Sequence, residues 1–234
     1  MVKNKIMNRW FVVIGALIIQ ICLGAIYAWS VFVNPLKEIG FTTTQTQVIF
    51  SVALATFAIV MIFAGKWQDK AGPRKVVITG GIVLGLGYIL AGVTGGSFIS
   101  IVLTVGIIGG AGIGLTYVCP IAAGVKWFPD KRGLIIGLAV AGFGGGAWLF
   151  AQIATNLIAS VGILSTFLYL GIIFMCAILL GSTVLVNPPS EWKPKGWEEE
   201  KKIEKKSVKK DYTWKEMLKT RQFWFLWLMF VFGA

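Results

Sequence analysis

The sequence predicts an all-α membrane protein whose helices cross the bilayer six times, and three observations predict it. First, 56% of the 234 residues are hydrophobic and 14% are charged, with a mean hydropathy of +0.79. That is more apolar surface than a soluble domain of this length needs. Second, the apolar residues form long blocks separated by short polar breaks. Third, all but one of the 22 Lys and Arg residues precede the first block or follow an even-numbered one; only Lys37 falls after an odd-numbered block. Basic residues bias insertion towards retention in the cytoplasm. The alternation therefore predicts an integral protein of the plasma membrane (the inner membrane of a bacterium or archaeon) with its amino terminus in the cytoplasm. It also accounts for the net charge of +12, which then points to anionic lipid and not to nucleic acid.

The first block, 10–33, follows Lys3, Lys5 and Arg9. It is too long for the core of a signal peptide, and it exceeds the ~20 residues that cross ~30 Å of hydrocarbon. Gln20, Gly24, Tyr27, Val31 and Asn34 fall on one face of it. The second and third blocks, 46–65 and 76–96, flank a basic break that contains Lys66, Lys70, Arg74 and Lys75. The fourth, 99–124, carries Gly106, Gly109, Gly110, Gly112 and Gly114, and the fifth, 134–158, carries Gly137, Gly142, Gly144, Gly145 and Gly146. With no strand before them these runs are not dinucleotide fingerprints; in lipid, small residues let helix backbones approach. Trp148, Gln152 and Asn156 make a polar stripe on the fifth block. Polar side chains avoid lipid, so this stripe and the one on the first block are expected to face the interior, either lining a cavity or hydrogen-bonding between helices.

The sixth block is 165–187. It is followed at 188–221 by Pro188, Pro189, Pro194 and a mixed-charge run, read as a cytoplasmic linker that is partly helical through spaced Glu–Lys pairs. A seventh helix is expected to start near Gln222, and Phe223–Ala234 is too short to cross a bilayer, so a chain cut within that helix is expected. The organisation expected is thus a six-helix bundle over 1–187, a charged linker over 188–221 and the start of a seventh span over 222–234.

Several chemistries are excluded. Cys22, Cys119 and Cys176 lie within apolar blocks and histidine is absent, so neither a disulfide framework nor a metal site is expected. No cofactor is expected. A membrane-embedded enzyme would need acids, His or Cys clustered near an interface, and none appears. No Lys, Arg, Asp, Glu or His lies within the six blocks, so this stretch offers a bound carboxylate only hydroxyls, amides and aromatic edges.

The break after the second block reads Gly65-Lys66-Trp67-Gln68-Asp69-Lys70-Ala71-Gly72-Pro73-Arg74-Lys75. It resembles the signature loop of the major facilitator superfamily: Gly65, Asp69, Lys70, Gly72, Arg74 and Lys75 match, and Pro73 departs from it. An acid among cations at a helix end suits a contact that forms in one state and breaks in another. Asp130-Lys131-Arg132-Gly133 echoes the Asp-Lys-x-Gly of that loop 61 residues later. Asp130 is expected to cap the fifth helix, with Arg132 and Gly133 in a second switching loop. Asn8-Arg9-Trp10-Phe11, Tyr27-Ala28-Trp29-Ser30, Asn34-Pro35 and Trp127-Phe128-Pro129-Asp130 look like the oxalate/formate antiporter family, a branch near the monocarboxylate transporters.

The resemblance implies the amino-terminal six-helix half of a twelve-helix fold, built from two inverted three-helix repeats, and secondary transport of a small mono- or dicarboxylate such as oxalate, formate or lactate by alternating access and exchange. The alternatives are proton-coupled symport, with protons as a second partner, and a transporter-derived membrane sensor. It further implies that Tyr27 and Tyr117 line the substrate cavity, with Phe143 standing where the oxalate carrier has Tyr. The substrate-binding cations would then lie in a carboxy-terminal six-helix half. Gln20, Trp148 and Gln152 join the candidate lining from their stripes.

Overall fold

A computed structural model describes residues 8–189, 192–194 and 214–233 of the chain. The first span opens at Asn8, whose side chain accepts from the Trp10 amide at 3.1 Å and caps α1, Arg9–Gly24. It continues through a 3-10 turn, Ala25–Ala28, into α2, Ser30–Glu38. The second span is α3, Thr43–Ala71, begun by a reciprocal capping box between Thr42 and Gln45. It ends at Gly72, whose φ of 82° favours a residue without a Cβ. Pro73 then starts α4, Pro73–Val93, at the position where its missing N–H costs nothing. The fourth span begins as α5, Phe98–Ile101, passes through a π-helical stretch, Val102–Gly109, and ends as α6, Gly110–Trp127.

The fifth and sixth spans form one element, α7, Arg132–Ser182, interrupted at Gly162. Its 51 residues would measure about 75 Å as a straight helix, more than twice the hydrocarbon thickness. Gly162 (φ 78°, ψ 169°) sits in a region that is essentially reserved for glycine, and it divides the two spans. The joint between the second and third spans has nearly the same backbone at Gly72 (φ 82°, ψ 161°), 90 residues earlier.

That likeness belongs to a wider symmetry. Glycine contacts lay the first span against the fifth, with Gly24 on Phe143 and Gly146, and against the sixth, with Gly15 on Gly181. The fourth span repeats this. It lies against the second, with Gly110 on Ala53 and Gly114 on Phe57, and against the third, with Gly112 on Leu84. The third and sixth meet each other at Gly85 and Gly171. Exchanging spans 1–3 with spans 4–6 reproduces the same set of pairings. Because spans one and four run in opposite directions, the two three-helix units are inverted repeats.

The core between these helices holds Leu23, Leu84, Phe167, Leu170, Phe174 and Ile178, all buried. Phe32 stacks on Phe167 at 5.2 Å, and Tyr88 meets Phe174 edge-on at 5.2 Å. By length and apolarity, α3, α4 and α7 and the composite first and fourth spans can each cross a membrane. The helices overrun the apolar blocks read from the sequence because caps and glycines, which lie in the polar breaks, end them.

Two helices stop short of their blocks: α4 ends at Val93, three residues before 96, and the sixth helix stops shorter still. It ends at Ser182, five residues short of the expected 187, and 185–189 has no regular structure. Asn187 precedes Pro188 and Pro189, which disfavour helical backbone before them, and the Val186 carbonyl is taken by the Trp127 indole at 2.6 Å.

The chain divides into two compact units, Met1–Pro194 and Lys195–Ala234. Of the expected linker, 190–191 and 195–213 lie outside the described residues. In the second unit, α8, Trp214–Met217, precedes α9, Arg221–Gly233; the Thr220 hydroxyl accepts from the Phe223 amide at 3.4 Å at its start. The seventh helix thus begins within a residue of the expected Gln222.

Candidate functional site

Three of the candidate lining residues meet. Phe143 on α7 stands edge-on between two tyrosines, with ring centroids 5.3 Å from Tyr27 and 5.0 Å from Tyr117. Tyr117 in turn meets Phe57 of α3 at 5.3 Å. The row draws on spans one, two, four and five, and Tyr27 and Tyr117 are 90 residues apart, the spacing of the two glycine joints. Close packing positions it: a Cβ on Gly24 would collide with the Phe143 carbonyl, and one on Gly146 with that of Ile21. Only glycine at both positions lets α1 and α7 touch and bring Phe143 under Tyr27. Tyr27 remains half exposed. Edge-to-face rings present positive edges and, on the tyrosines, hydroxyls, which are groups a carboxylate accepts from without a formal charge nearby.

Gln20 lies deeper on the same helix and is fully buried, and neither its Oε1 nor its Nε2 has a hydrogen-bond partner. A buried, unpaired amide costs about 1–3 kcal/mol. The polar face read from the sequence is therefore split by burial. Gln20 and Gly24 lie under neighbouring helices, whereas Tyr27 and Asn34 are exposed. Trp148 and Gln152 do not join the row. Trp148 is 72% exposed with no ring contact among the described residues, and Gln152 and Asn156 are exposed along the same face of α7. Phe57 was missed by the sequence reading. Its signal was the spacing Ile49, Ala53, Phe57, Ala64, Gln68, which is the face α3 turns inward.

The two Asp-Lys-x-Gly segments fold differently. Asp69 and Lys70 lie in the last turn of α3, and Gly72 forms the turn. Asp130 lies in the turn itself, and Gly133 is already inside α7. Asp130 does not cap α7, as the sequence reading expected. Lys131 occupies the cap position without a side-chain bond, and the Asp130 carboxylate instead receives both Arg9 guanidinium nitrogens at 2.8 and 3.1 Å. A bidentate guanidinium pair outcompetes one backbone N–H for the carboxylate.

Asp69 makes no ion pair or hydrogen bond among the described residues, and Lys70 and Arg74 are exposed. Lys70, in the last turn of α3, suits its helix, whereas Asp69 and Arg74 are misplaced for theirs. An acid at the end of α3 and cations at the start of α4 oppose the backbone dipoles by about 0.3–1 kcal/mol each. A Cβ on Gly65, one turn before Asp69, would meet nothing within 4 Å, and the same holds for Gly133. Arg132 is exposed beside it. Among the described residues no group of His, Cys, Asp and Glu could hold a metal.

The sequence profile of the Major Facilitator Superfamily matches residues 6–234. The chain belongs to that superfamily. As a superfamily member with apolar spanning helices it is an integral membrane protein. It is 34% identical over 231 residues to the uncharacterized MFS-type transporter YhjX of Escherichia coli strain K12, covering 98% of this chain and 55% of that protein. It is 31% identical over 225 residues to the oxalate:formate antiporter of Oxalobacter formigenes, covering 95% and 51%. It is 34% identical over 187 residues to monocarboxylate transporter 2 of Rattus norvegicus, covering 77% and 37%. This superfamily member thus spans about half the length of the curated relatives it matches.

Proposed function

We propose that this chain is the amino-terminal half of a secondary transporter that moves a small mono- or dicarboxylate by alternating access, in exchange for another. The observation that carries the reading is the row Tyr27–Phe143–Tyr117, which gathers three spans around aromatic edges and hydroxyls in a bundle whose apolar blocks hold no charge. The likeness to the oxalate:formate antiporter and to monocarboxylate transporter 2 supports the substrate class. On this reading Tyr27 and Tyr117 donate hydroxyl hydrogen bonds to the carboxylate, and Gln20 joins them when the packing above it opens. Trp148 and Gln152, on the unpartnered face of α7, serve the side of the cavity completed by a carboxy-terminal half. That half also supplies the cations a desolvated carboxylate requires. The amino terminus and the loops around Asp69 and Asp130 are cytoplasmic on this reading. Gly65, Asp69, Lys70, Gly72 and Arg74 form a latch whose acid and cations find partners in one transport state only.

The test is counterflow of labelled oxalate, formate and lactate into proteoliposomes containing the full-length protein. Tyr27→Phe and Tyr117→Phe should each lower kcat/KM at least tenfold, and Phe143→Tyr should shift the preference towards the dicarboxylate. Saturable transport of carboxylates unaffected by all three substitutions would remove the aromatic row from the site. Absence of counterflow for every carboxylate would remove the substrate class.

A further inference from the structure

The second cluster of aromatic and charged groups lies at the end of the bundle that carries the basic loops, and it serves none of the roles above. Arg9, at the start of α1, forms its two-point ion pair with Asp130, in the turn before α7; the two side chains are only 23% and 20% exposed. The same guanidinium lies 4.3 Å from the centre of the Phe128 ring and 6.0 Å from that of Trp192. A planar cation can hold a carboxylate in its plane while its faces rest on rings. Phe128 is fully buried and takes Trp10 edge-on at 5.0 Å. Trp127, also buried, meets Trp192 at 5.0 Å and donates its indole N–H to the Val186 carbonyl at 2.6 Å. Leu185 is fully buried, and the Trp192 amide closes a turn onto the Pro189 carbonyl at 3.0 Å. Every member belongs to the unit Met1–Pro194.

We propose that Arg9, Asp130, Trp127, Phe128 and Trp192 form a clamp that fastens the segment from Leu185 to Pro194 onto the basic end of the bundle. The segment after the sixth helix then moves with the bundle as one body. Because the clamp joins only parts of one unit, it stays closed while Asp69 changes partners. The geometry argues for a strap of defined position. Pro188 and Pro189 keep its first part out of a helix, one indole N–H fixes its start, and one ring wedged between Arg9 and Trp127 fixes its end.

The test is limited chymotrypsin digestion of the full chain in detergent, following cleavage after Trp192 relative to the unsubstituted chain. Asp130→Asn breaks the ion pair, and Trp127→Phe removes the indole N–H while keeping a ring. Each should raise the relative rate at Trp192 at least threefold, and Lys131→Gln should leave it unchanged. A smaller rise in both variants overturns the clamp. A measurement on the unsubstituted chain guards against variants that fail to fold. Amide hydrogen exchange in 185–194 should be at least tenfold slower than in a free peptide of the same sequence, and exchange at the free-peptide rate overturns the proposal whatever the variants do.

Discussion

Adding one methyl group at Gly24 separates packing from helix propensity. In the Gly24→Ala variant the new Cβ would lie 2.8 Å from the Phe143 carbonyl carbon and 3.2 Å from the Gly146 Cα, and closer still to the Phe143 carbonyl oxygen. Ordinary contact begins near 3.4 Å, so α1 and α7 must part by at least about 0.6 Å, a gap that forfeits roughly a quarter to a half of each dispersion contact along the seam. Overpacking of this kind costs about 1–3 kcal/mol. The propensity gain of Ala over Gly, about 1 kcal/mol, is not included in that figure and offsets part of it. Gly144 supplies the control: it lies two residues from Gly146 on the same helix, and its Cβ would meet nothing within 4 Å. Gly144→Ala should therefore be neutral or stabilising by up to about 1 kcal/mol; both glycines are helical and take the same propensity gain, so the two variants should differ by the overpacking alone, about 1–3 kcal/mol. Equilibrium unfolding of the purified chain in mixed micelles, titrated with sodium dodecyl sulfate, measures the difference. Equal effects of the two substitutions would refute the reasoning, because the glycines would then differ in sequence position and not in what surrounds them. Phe143 moves with the seam, so Gly24→Ala should also disturb the aromatic row.

Two further outcomes are expected. In the full-length protein, Asp69→Asn should slow exchange while leaving equilibrium carboxylate binding within about threefold, roughly 0.6 kcal/mol; unchanged transport with a large loss of binding would rule out the latch. In intact cells, with Cys176 replaced by Ser, a cysteine at Lys37 should react with an impermeant thiol reagent and one at Lys70 should not; the reverse pattern would invert the orientation.

The spans were legible because their signal is collective. Twenty apolar residues between polar breaks must cross or be buried, whatever each one does. Helix ends set by local backbone chemistry, as at Thr42 with Gln45 and at Gly72 with Pro73, fell outside the apolar blocks, which began three residues after the helices do. The early end of the sixth helix was half legible, since the two prolines were visible and the claim of Trp127 on the Val186 carbonyl, 59 residues away, was not. The same holds for the site. Tyr27, Tyr117 and Phe143 could be picked out one by one, but which ring touches which depends on how α1 and α7 cross at Gly24 and Gly146. Gln20 shows the limit of periodicity. Spacing placed it on a face with Tyr27, and the depth of that face, buried below and exposed above, is set by the neighbouring helices.

The two Asp-Lys-x-Gly segments carry this furthest, because identical letters there build different objects. A four-residue pattern acquires meaning from its phase against the helix ends. At 69–72 the acid ends a helix and the glycine turns the chain, so the carboxylate projects free at the edge of the bundle. At 130–133 the acid turns the chain and the glycine continues a helix, so the carboxylate is brought beside the start of α1, where Arg9 takes it. The inverted repeat explains why the likeness misleads. Exchanging the two three-helix units carries the joint at Gly72 onto the joint at Gly162, which shares its backbone angles, and not onto the turn at Asp130. The equivalent of the Gly72 joint is therefore a glycine with no acid beside it, at the opposite end of the bundle. Among the described residues, an unpaired acid on one joint and none on its counterpart is the asymmetry that the proposed latch, acting at one membrane face through Asp69, requires.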